Sequence, residues 1–280
     1  MENILCVDVE DWYHPEYVKK FSGSKEIRVT QNVDAAIQLL DKCDVKATFF
    51  VVGEIAEACP EILDKIVKSG HEVAFHGYYH DTLWGLSPEV FRVEIKKYNS
   101  LVKSITGCEC LGFRAPSYSL DNRTKWAIDV LEEEGFAYDS SIFPIRTPLY
   151  GEPRAPIMPY NPSSKNITKQ DTSRKFMEFP ALVYPIAGLK IPAAGGFYLR
   201  LLPLFILKRA IKRMNKQGFP AVFSFHTWEI DPNTPRLKLG IYKSFVTYHN
   251  LPHTSEKLIN LISAFRFTSF KHYLEKNNLL

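Results

Sequence analysis

The chain has 280 residues, with 35 Lys and Arg against 31 Asp and Glu, and 45% of its residues are hydrophobic. A formal net charge of +4, with no block of basic residues, argues against a nucleic-acid-binding protein. The apolar content is sufficient for a large core, yet no stretch approaches the roughly 20 apolar residues of a membrane-spanning helix.

The N-terminus lacks the basic start of a signal peptide, and its apolar run at residues 4–7 is too short for one. The five cysteines are an odd number at irregular positions, which argues for reduced thiols. We therefore predict a cytoplasmic protein, with the membrane face as an alternative location. The sequence makes no prediction of oligomeric state.

Strand-like and helix-like patterns alternate along the chain. Predicted strands lie at 3–9, 47–52, 71–76, 109–115, 136–140, 178–184 and 220–226. Predicted helices lie at 31–43, 54–69, 87–106, 122–135, 203–217 and 254–264. This order predicts an α/β fold with a mostly parallel sheet and helices outside it, and a barrel of this size is commonly a single domain.

Three carboxylates, Asp8, Glu10 and Asp11, follow the first predicted strand. Carboxylates that are buried at a strand end are costly unless they are paired or bind a cation. One of them could cap a helix N-terminus, where Asp is favoured, but a cap does not account for three acids. The cluster therefore indicates a functional site.

Two histidines follow the third predicted strand with a spacing that suits one metal ion. His76 and His80 are four residues apart, so their rings meet if the loop coils by about one turn. A divalent metal of the zinc type takes such nitrogens together with a carboxylate, and keeps open positions when the site is catalytic. A pair of surface histidines is the plain alternative, and the acids of the first strand favour the metal.

Two further predicted strands end in reactive side chains. Arg114 comes just before Pro116, and a guanidinium there suits the two-pronged binding of a carboxylate. His226 follows the apolar run 221–225. A lone His in such a place is more often structural, but this is the fourth strand end with a reactive group. Reactive groups at several strand carboxyl ends favour a barrel with its active site at that face.

The motifs also form an ordered series: the acids at 8–11, KATFFVVG at 46–53, HGYYH at 76–80, FRAPSYS at 113–119 and FSFHTWEID at 223–231. This series resembles the polysaccharide deacetylases of carbohydrate esterase family 4, the NodB-homology fold. The resemblance implies a distorted barrel of seven strands within residues 1–231 and a C-terminal extension, 232–280, packed on the barrel.

Within that family the chain is similar to a branch that begins Asp-Val-Glu-Asp and carries a C-terminal extension. Segments 195–203 and 265–267 also have counterparts in that branch. Its members are often associated with exopolysaccharide or exosortase genes, so the resemblance implies a protein of that type.

The resemblance implies a hydrolase that removes N-acetyl groups from an amino sugar in a polysaccharide, an oligosaccharide or a lipid-linked precursor. It also implies one divalent ion, with zinc favoured and cobalt or nickel as alternatives. It implies that Asp8 is the general base, that Arg114 positions Asp8, and that His226 is the general acid. His76 and His80 would be metal ligands. The oxyanion and substrate positions would be taken by Ser117, Tyr118 and Trp228. Carbohydrate is therefore the predicted partner.

The third metal ligand stays open, because the family's usual first motif has two adjacent aspartates and Val9 follows Asp8 here. Strand parity places Glu10 on the face of Asp8, whereas Asp11 reaches that face only if the chain turns. Two other functions also stay open. The paired histidines count against a metal-free hydrolase of cyclic ureides or small amides. The complete set of base, acid and Arg counts against an inactive carbohydrate-binding module.

Two segments are candidates for setting substrate choice. Residues 144–175, rich in Pro, Ser, Asn and Lys, are longer than an ordinary connection. We expect them to bury little and to be mobile without substrate. The Gly195-Gly196 pair would let the backbone approach a ligand closely, next to the flat rings of Phe197 and Tyr198.

Overall fold

The computed structural model describes residues 1–19 and 26–280. Its strands are β1 (Glu2–Val9), β2 (Thr48–Val51), β3 (Glu72–Phe75), β4 (Gly112–Phe113), β5 (Tyr138–Asp139), β6 (Pro162–Ser163), β7 (Asn166–Gln170), β8 (Met177–Glu178), β9 (Val183–Ile186), β10 (Leu189–Pro192), β11 (Val222–His226) and β12 (Arg266–Thr268). Its α-helices are α1 (Glu16–Lys19), α2 (Val29–Lys42), α3 (Gly53–Ala58), α4 (Glu61–Lys68), α5 (Pro88–Thr106), α6 (Trp126–Glu133), α7 (Phe197–Leu201), α8 (Leu204–Lys216), α9 (Ile241–Tyr248), α10 (Thr254–Ile262) and α11 (Phe270–Lys276).

The main sheet is parallel and barrel-like. Its strands follow the order β11, β1, β2, β3, β4, β5 and β8, with β12 added beside the start of β1. Among the described residues no ladder joins β8 to β11, and at that gap Gly195 forms an isolated bridge with Ser224 of β11. Helices surround the sheet, which confirms the predicted α/β fold.

Residue alternation in β1 divides the apolar side chains into two layers. Leu5, Val7 and Val9 belong to the large cluster that the sheet shares with its surrounding helices. Ile4 and Cys6 belong to a smaller cluster on the opposite face. The inward side chains of β1 are thus the even-numbered ones, and this parity continues to Asp8 beyond the apolar part of the strand.

The C-terminal segment packs against the amino ends of strands in the main sheet. Phe270 of α11 is buried in the smaller cluster, and its N–H donates to Thr48 Oγ1 at 2.8 Å. The next N–H, from Lys271, donates to Glu72 Oε2 at 2.8 Å. Strand β12 and helix α11 therefore bind the amino ends of β1, β2 and β3, while the predicted boundary at residue 231 stays a prediction.

Some predicted elements differ in extent. The helix expected at 54–69 is two helices, α3 and α4, because Pro60 lacks an N–H and separates them. The strand expected at 109–115 has only the two residues of β4. The strand expected at 178–184 overlaps only the last residue of β8 and the first two of β9. Hairpin β6–β7, strand β10 and the helices α7, α9 and α11 lie in segments for which no element was predicted. In the described ranges, no helix has both the length and the hydropathy to cross a membrane.

The expectation that residues 144–175 bury little is wrong. Tyr160 and Ile167 are buried in the large cluster, and Tyr160 pairs through its backbone with Glu178 of β8. Hairpin β6–β7 contributes to this packing, and Arg174 forms ion pairs with Asp129 and Glu132 of α6. Apolar residues spaced far apart in the segment are brought together by the hairpin.

Candidate active site

The carboxyl ends of four strands meet at one edge of the sheet and carry the predicted side chains. Asp8 lies near the end of β1, directly opposite His226 at the end of β11. His76 follows β3, and Arg114 follows β4, where its N–H donates to Phe75 O at 2.9 Å. Because parallel strands end at the same edge, groups far apart in sequence come together.

Glu10 lies between the two histidines of the HGYYH motif. Its Oε1 is 3.1 Å from His76 Nε2 and 2.9 Å from His80 Nε2. All three residues are buried, and one ligand atom from each lies within 4.8 Å of the others. Two imidazoles and one carboxylate in this arrangement match the donor set of a divalent metal site with open positions.

The turn after β3 aims both rings at Glu10. His76 Nδ1 is 2.8 Å from Arg114 O, which orients its ring and leaves Nε2 toward the cluster. Gly77 and His80 have φ values of 72° and 53°, so the chain coils tightly between the two histidines. A Cβ on Gly77 would lie 2.9 Å from Pro116, so this position also requires glycine for space.

Charges within the cluster favour the protonation states that bind metal. Burial raises the pKa of Glu10, but His80, His226 and His76 outweigh it and hold that pKa well below its ordinary value. Burial lowers the pKa of His80, against the opposing effect of Glu10. An ionised carboxylate beside a neutral imidazole is the form that coordinates a cation.

Asp8 is held by Arg114, as predicted for this pair. Arg114 Nη1 donates to Asp8 Oδ1 at 2.8 Å, and both side chains are buried. The other guanidinium nitrogens donate to Ser140, Nε to its carbonyl at 3.1 Å and Nη2 to its Oγ at 3.0 Å. A guanidinium with three hydrogen bonds holds the Asp8 carboxylate in a fixed position.

Asp11 does not join the metal cluster. Its Oδ1 accepts from the N–H of Trp12 at 2.8 Å, and its Oδ2 accepts from the N–H groups of Arg28 and Val29 at 2.8 and 3.1 Å. The carboxylate therefore satisfies free N–H groups at the start of α2, where the helix dipole favours negative charge. Of the two candidates for the third ligand, the structure brings only Glu10 to His76 and His80.

His226 faces the carboxylates of Asp8 and Glu10. Its Nε2 is 3.8 Å from Asp8 Oδ2 and from Glu10 Oε1. Its Nδ1 is 2.9 Å from Oε2 of Glu229. Burial lowers the pKa of His226, but Glu10, Glu229 and Asp8 outweigh this and raise it to about 10. The ring is therefore protonated near neutral pH, with one N–H directed at the acids.

Glu229 and Arg200 complete a chain of buried contacts that was not predicted. Glu229 Oε1 accepts from Arg200 Nε at 2.9 Å, and Arg200 also donates to the carbonyls of Val246 and His249. Burial raises the pKa of Glu229, but His226 and Arg200 together lower it to about 2. A sequence signal existed: Glu229 stands three residues after His226 at the start of a short helical turn, the spacing of a capping box.

The other predicted residues line the same cleft. Ser117 has a left-handed φ of 53° at the turn after Ala115, which places its backbone at the cleft. Burial raises the pKa of Tyr118 to about 12, so its phenol is protonated near neutral pH. Trp228 is buried and stacks on His226, with ring centroids 5.7 Å apart. Ser117, Tyr118 and Trp228 thus lie where a substrate would meet the strand ends.

Aromatic side chains form one wall of the cleft. Its aromatic lining residues are Tyr17, Tyr118, Phe143, Tyr150, Phe197, Tyr198 and Trp228. Within 144–175, Leu149 and Tyr150 reach the cleft. The wall contains Phe197 and Tyr198, the two flat rings anticipated beside the double glycine.

Gly195 has no side chain, and this allows its backbone to approach β11 closely. A Cβ there would lie 1.6 Å from Ser224 O of β11, and its φ is 118°. Gly196 is the member of the pair beside the site, since its Cβ would lie 3.3 Å from the His226 ring. The expected close approach to a ligand stays a prediction, now for Gly196, and Gly195 pairs with β11 at the gap in the sheet.

Two family models match separate parts of the chain. Residues 22–137 match the family model described as polysaccharide deacetylase, and residues 140–275 match a domain of unknown function, DUF3473. A solved structure described as a putative polysaccharide deacetylase from Mycobacterium smegmatis is similar over 98% of this chain and 88% of its own, with a TM-score of 0.63 and 19% identity. At that identity the likeness shows the fold.

Two curated relatives carry deacetylase names. The peptidoglycan deacetylase-like protein FGM2 of Gibberella zeae is 38% identical over 112 residues, 39% of this chain and 32% of the relative. The peptidoglycan-N-acetylglucosamine deacetylase of Bacillus cereus is 31% identical over 125 residues, 41% of this chain and 46% of the relative. The chain thus spans less than half the length of each. The family model and these relatives show that the part of the chain within residues 22–137 is similar to polysaccharide deacetylases.

Proposed function

We propose that this protein is a metal-dependent hydrolase that removes N-acetyl groups from an amino sugar in a polysaccharide, an oligosaccharide or a lipid-linked precursor. The observation that carries the proposal is the buried cluster of Glu10, His76 and His80 beside an Arg-held Asp8 and a protonated His226. Relatives named for peptidoglycan deacetylation make N-acetylglucosamine polymers the first substrates to test.

A divalent ion bound by Glu10, His76 and His80 would suit this cluster better than hydrogen bonds among the three side chains do. His76 directs Nδ1 at the carbonyl of Arg114, which requires a proton on that nitrogen. A hydrogen bond from Nε2 to Glu10 would then require a doubly protonated ring within the cluster. A cation held by Glu10, His76 and His80 would take the place of the hydrogen bond from Nε2, so the His76 ring would need only one proton. Zinc, cobalt or nickel suits two imidazoles and a carboxylate. When bound, such an ion supplies Lewis acidity toward an amide carbonyl and toward water.

The residues around the cluster supply the proton transfers. Asp8 has one oxygen bound to Arg114 and the other turned toward the cleft, so it can take a proton from an attacking water. His226 has Nδ1 held by Glu229 and Nε2 turned inward, so it can give a proton to the leaving amine. The backbone N–H of Ser117 is the candidate donor to the developing oxyanion. The aromatic wall would pack against the sugar rings.

A metal-loading experiment tests the proposal. The purified protein is stripped with a chelator, reloaded with zinc, cobalt or nickel, and assayed for acetate release from N-acetylated chitin oligomers. We expect activity to depend on the ion, and His80→Ala to lose bound metal and activity while remaining folded. His253→Ala, which changes an exposed histidine, is the matched control.

Each alternative gives a different result in the same experiment. Full activity in the stripped protein would indicate a metal-free hydrolase and would refute the assigned ligands. Oligomer binding without turnover in the reloaded protein would indicate a binding module. Equal metal content in the wild type and His80→Ala would show that the cluster is not the metal site.

A further inference from the structure

Helix α9 exposes an apolar face beside the cleft. Ile241 is 93% exposed, Tyr242 is 57% exposed and Phe245 is 45% exposed. Their spacing of one and four residues places them within one arc of the helix, while Thr247 and Tyr248 in its last turn are buried. We call Ile241, Tyr242 and Phe245 the α9 face. A contiguous exposed apolar group of this kind usually marks an interaction surface.

The part of the chain that includes α9 is strongly basic. Residues 179–255 contain ten Lys and Arg against two Asp and Glu, a formal +8 within a chain whose total is +4. Both acids are already paired, Glu229 with Arg200 and Asp231 with Arg28. The charge that this region presents to solvent is therefore positive.

Basic residues precede the α9 face in the sequence. Arg236 and Lys238, on the segment that leads into α9, are both exposed. No Asp or Glu occurs anywhere in residues 232–255. Apolar side chains flanked in the sequence by basic residues and not by acidic ones are the pattern of a helix that lies in the interface of an anionic membrane.

The α9 face is continuous with the cleft. Val246 and Thr247 of α9 line the cleft. The ring of Tyr242 contacts that of Tyr17, another lining residue, at 5.9 Å between centroids, and Phe245 contacts Phe197 at 5.8 Å. Whatever binds the α9 face is therefore held next to the mouth of the candidate active site.

We propose that the α9 face binds the surface of an anionic lipid bilayer. Three side chains on an eight-residue helix offer far less than the roughly 800 Å² per partner of a standard protein interface. They are enough for shallow insertion among lipid headgroups when nearby Lys and Arg meet negative charge. The proposal concerns binding alone, so it stands or falls independently of the proposed reaction.

Vesicle co-sedimentation tests the proposal. The full chain is mixed with vesicles of phosphatidylcholine alone or of phosphatidylcholine with phosphatidylglycerol, at low and high salt. We expect binding to the phosphatidylglycerol vesicles only, weakened by salt because exposed charges are screened. Ile241→Ser/Phe245→Ser should weaken that binding by about tenfold or more. Ile241→Ser alone, at a position too exposed to affect folding, should weaken it by about threefold.

Exposed valines on another helix provide the matched control. Val90→Ser/Val93→Ser removes two exposed apolar side chains from α5 and should leave binding unchanged. Absence of binding to phosphatidylglycerol vesicles, or an equal loss in this control, would overturn the proposal. So would a wild-type dimer in light scattering that Ile241→Ser dissociates, because a second copy of the chain would then cover the α9 face.

Discussion

Replacement of Glu229 by Gln tests how His226 is kept protonated. In the structure Glu229 accepts from Arg200 Nε, from His226 Nδ1 and from the His226 N–H, each at 2.9 Å. Gln keeps the size of the side chain but has one acceptor oxygen and one NH₂ donor. If the oxygen stays on Arg200, the NH₂ group faces His226 Nδ1, which must then be unprotonated.

The change should weaken proton binding at His226 by a defined amount. A hydrogen bond to a charged group is worth about 1.5–3 kcal/mol, so its loss reduces the affinity of His226 for its proton by about ten- to a hundredfold. The pKa of His226, about 10 in the folded protein, should fall accordingly but not to its ordinary value, because Glu10 and Asp8 remain.

The sign of the pH effect follows from the raised pKa. Protonated His226 stabilises the folded protein fully below its ordinary pKa of 6.5, and this contribution is lost as the pH rises through about 10. In Glu229→Gln the loss should occur at lower pH. If His226 is the general acid, the alkaline limb of the pH–rate profile should move to lower pH by the same amount.

NMR titration of the His226 ring and the pH–rate profile measure the two effects. Glu178→Gln is the matched control, since burial and the neighbouring Asp139 raise the pKa of Glu178 well above its ordinary value and an amide imitates the protonated acid. An unmoved alkaline limb together with a uniform loss of turnover in Glu229→Gln would refute the reasoning and leave Glu229 a purely structural role.

Three further predictions concern Asp8, Asp11 and the segment 160–172. Asp8→Asn should reduce turnover by about 10²–10⁴-fold and remove the acidic limb of the pH–rate profile, while metal content stays unchanged; near-normal turnover on an accepted substrate would disprove the base assignment. Asp11→Ala should lower the free energy of unfolding by about 1–3 kcal/mol in a denaturant titration, because three N–H groups lose their acceptor, and it should retain metal, unlike Glu10→Ala. A Gly/Ser linker in place of 160–172 removes the buried Ile167, so we expect a loss of about 2–5 kcal/mol in stability with similar kinetic effects on long and short substrates; a selective loss on long oligosaccharides would instead restore a role in substrate choice.

Local sequence pattern determined where the elements that carry the site lie. The apolar runs of β1, β2, β3 and β11 predicted these strands closely, because all their residues are buried except Glu2 and His226 at the outer ends of β1 and β11. The polar groups after these runs were then expected at one edge of the sheet, and the structure places Asp8, His76, Arg114 and His226 there. Strand parity also favoured Glu10, since alternation needs no knowledge of distant residues.

Only the tertiary structure decided which partners these groups have. Asp11 turns away because the start of α2, which lies beyond residue 26, offers it two N–H donors. Arg200 lies on a helix of five residues, too short for a periodic signal, and it meets Glu229 because α7 packs against α9. Contacts of this kind depend on where separate elements pack in space, and a single sequence specifies that packing through many weak interactions that no local pattern records.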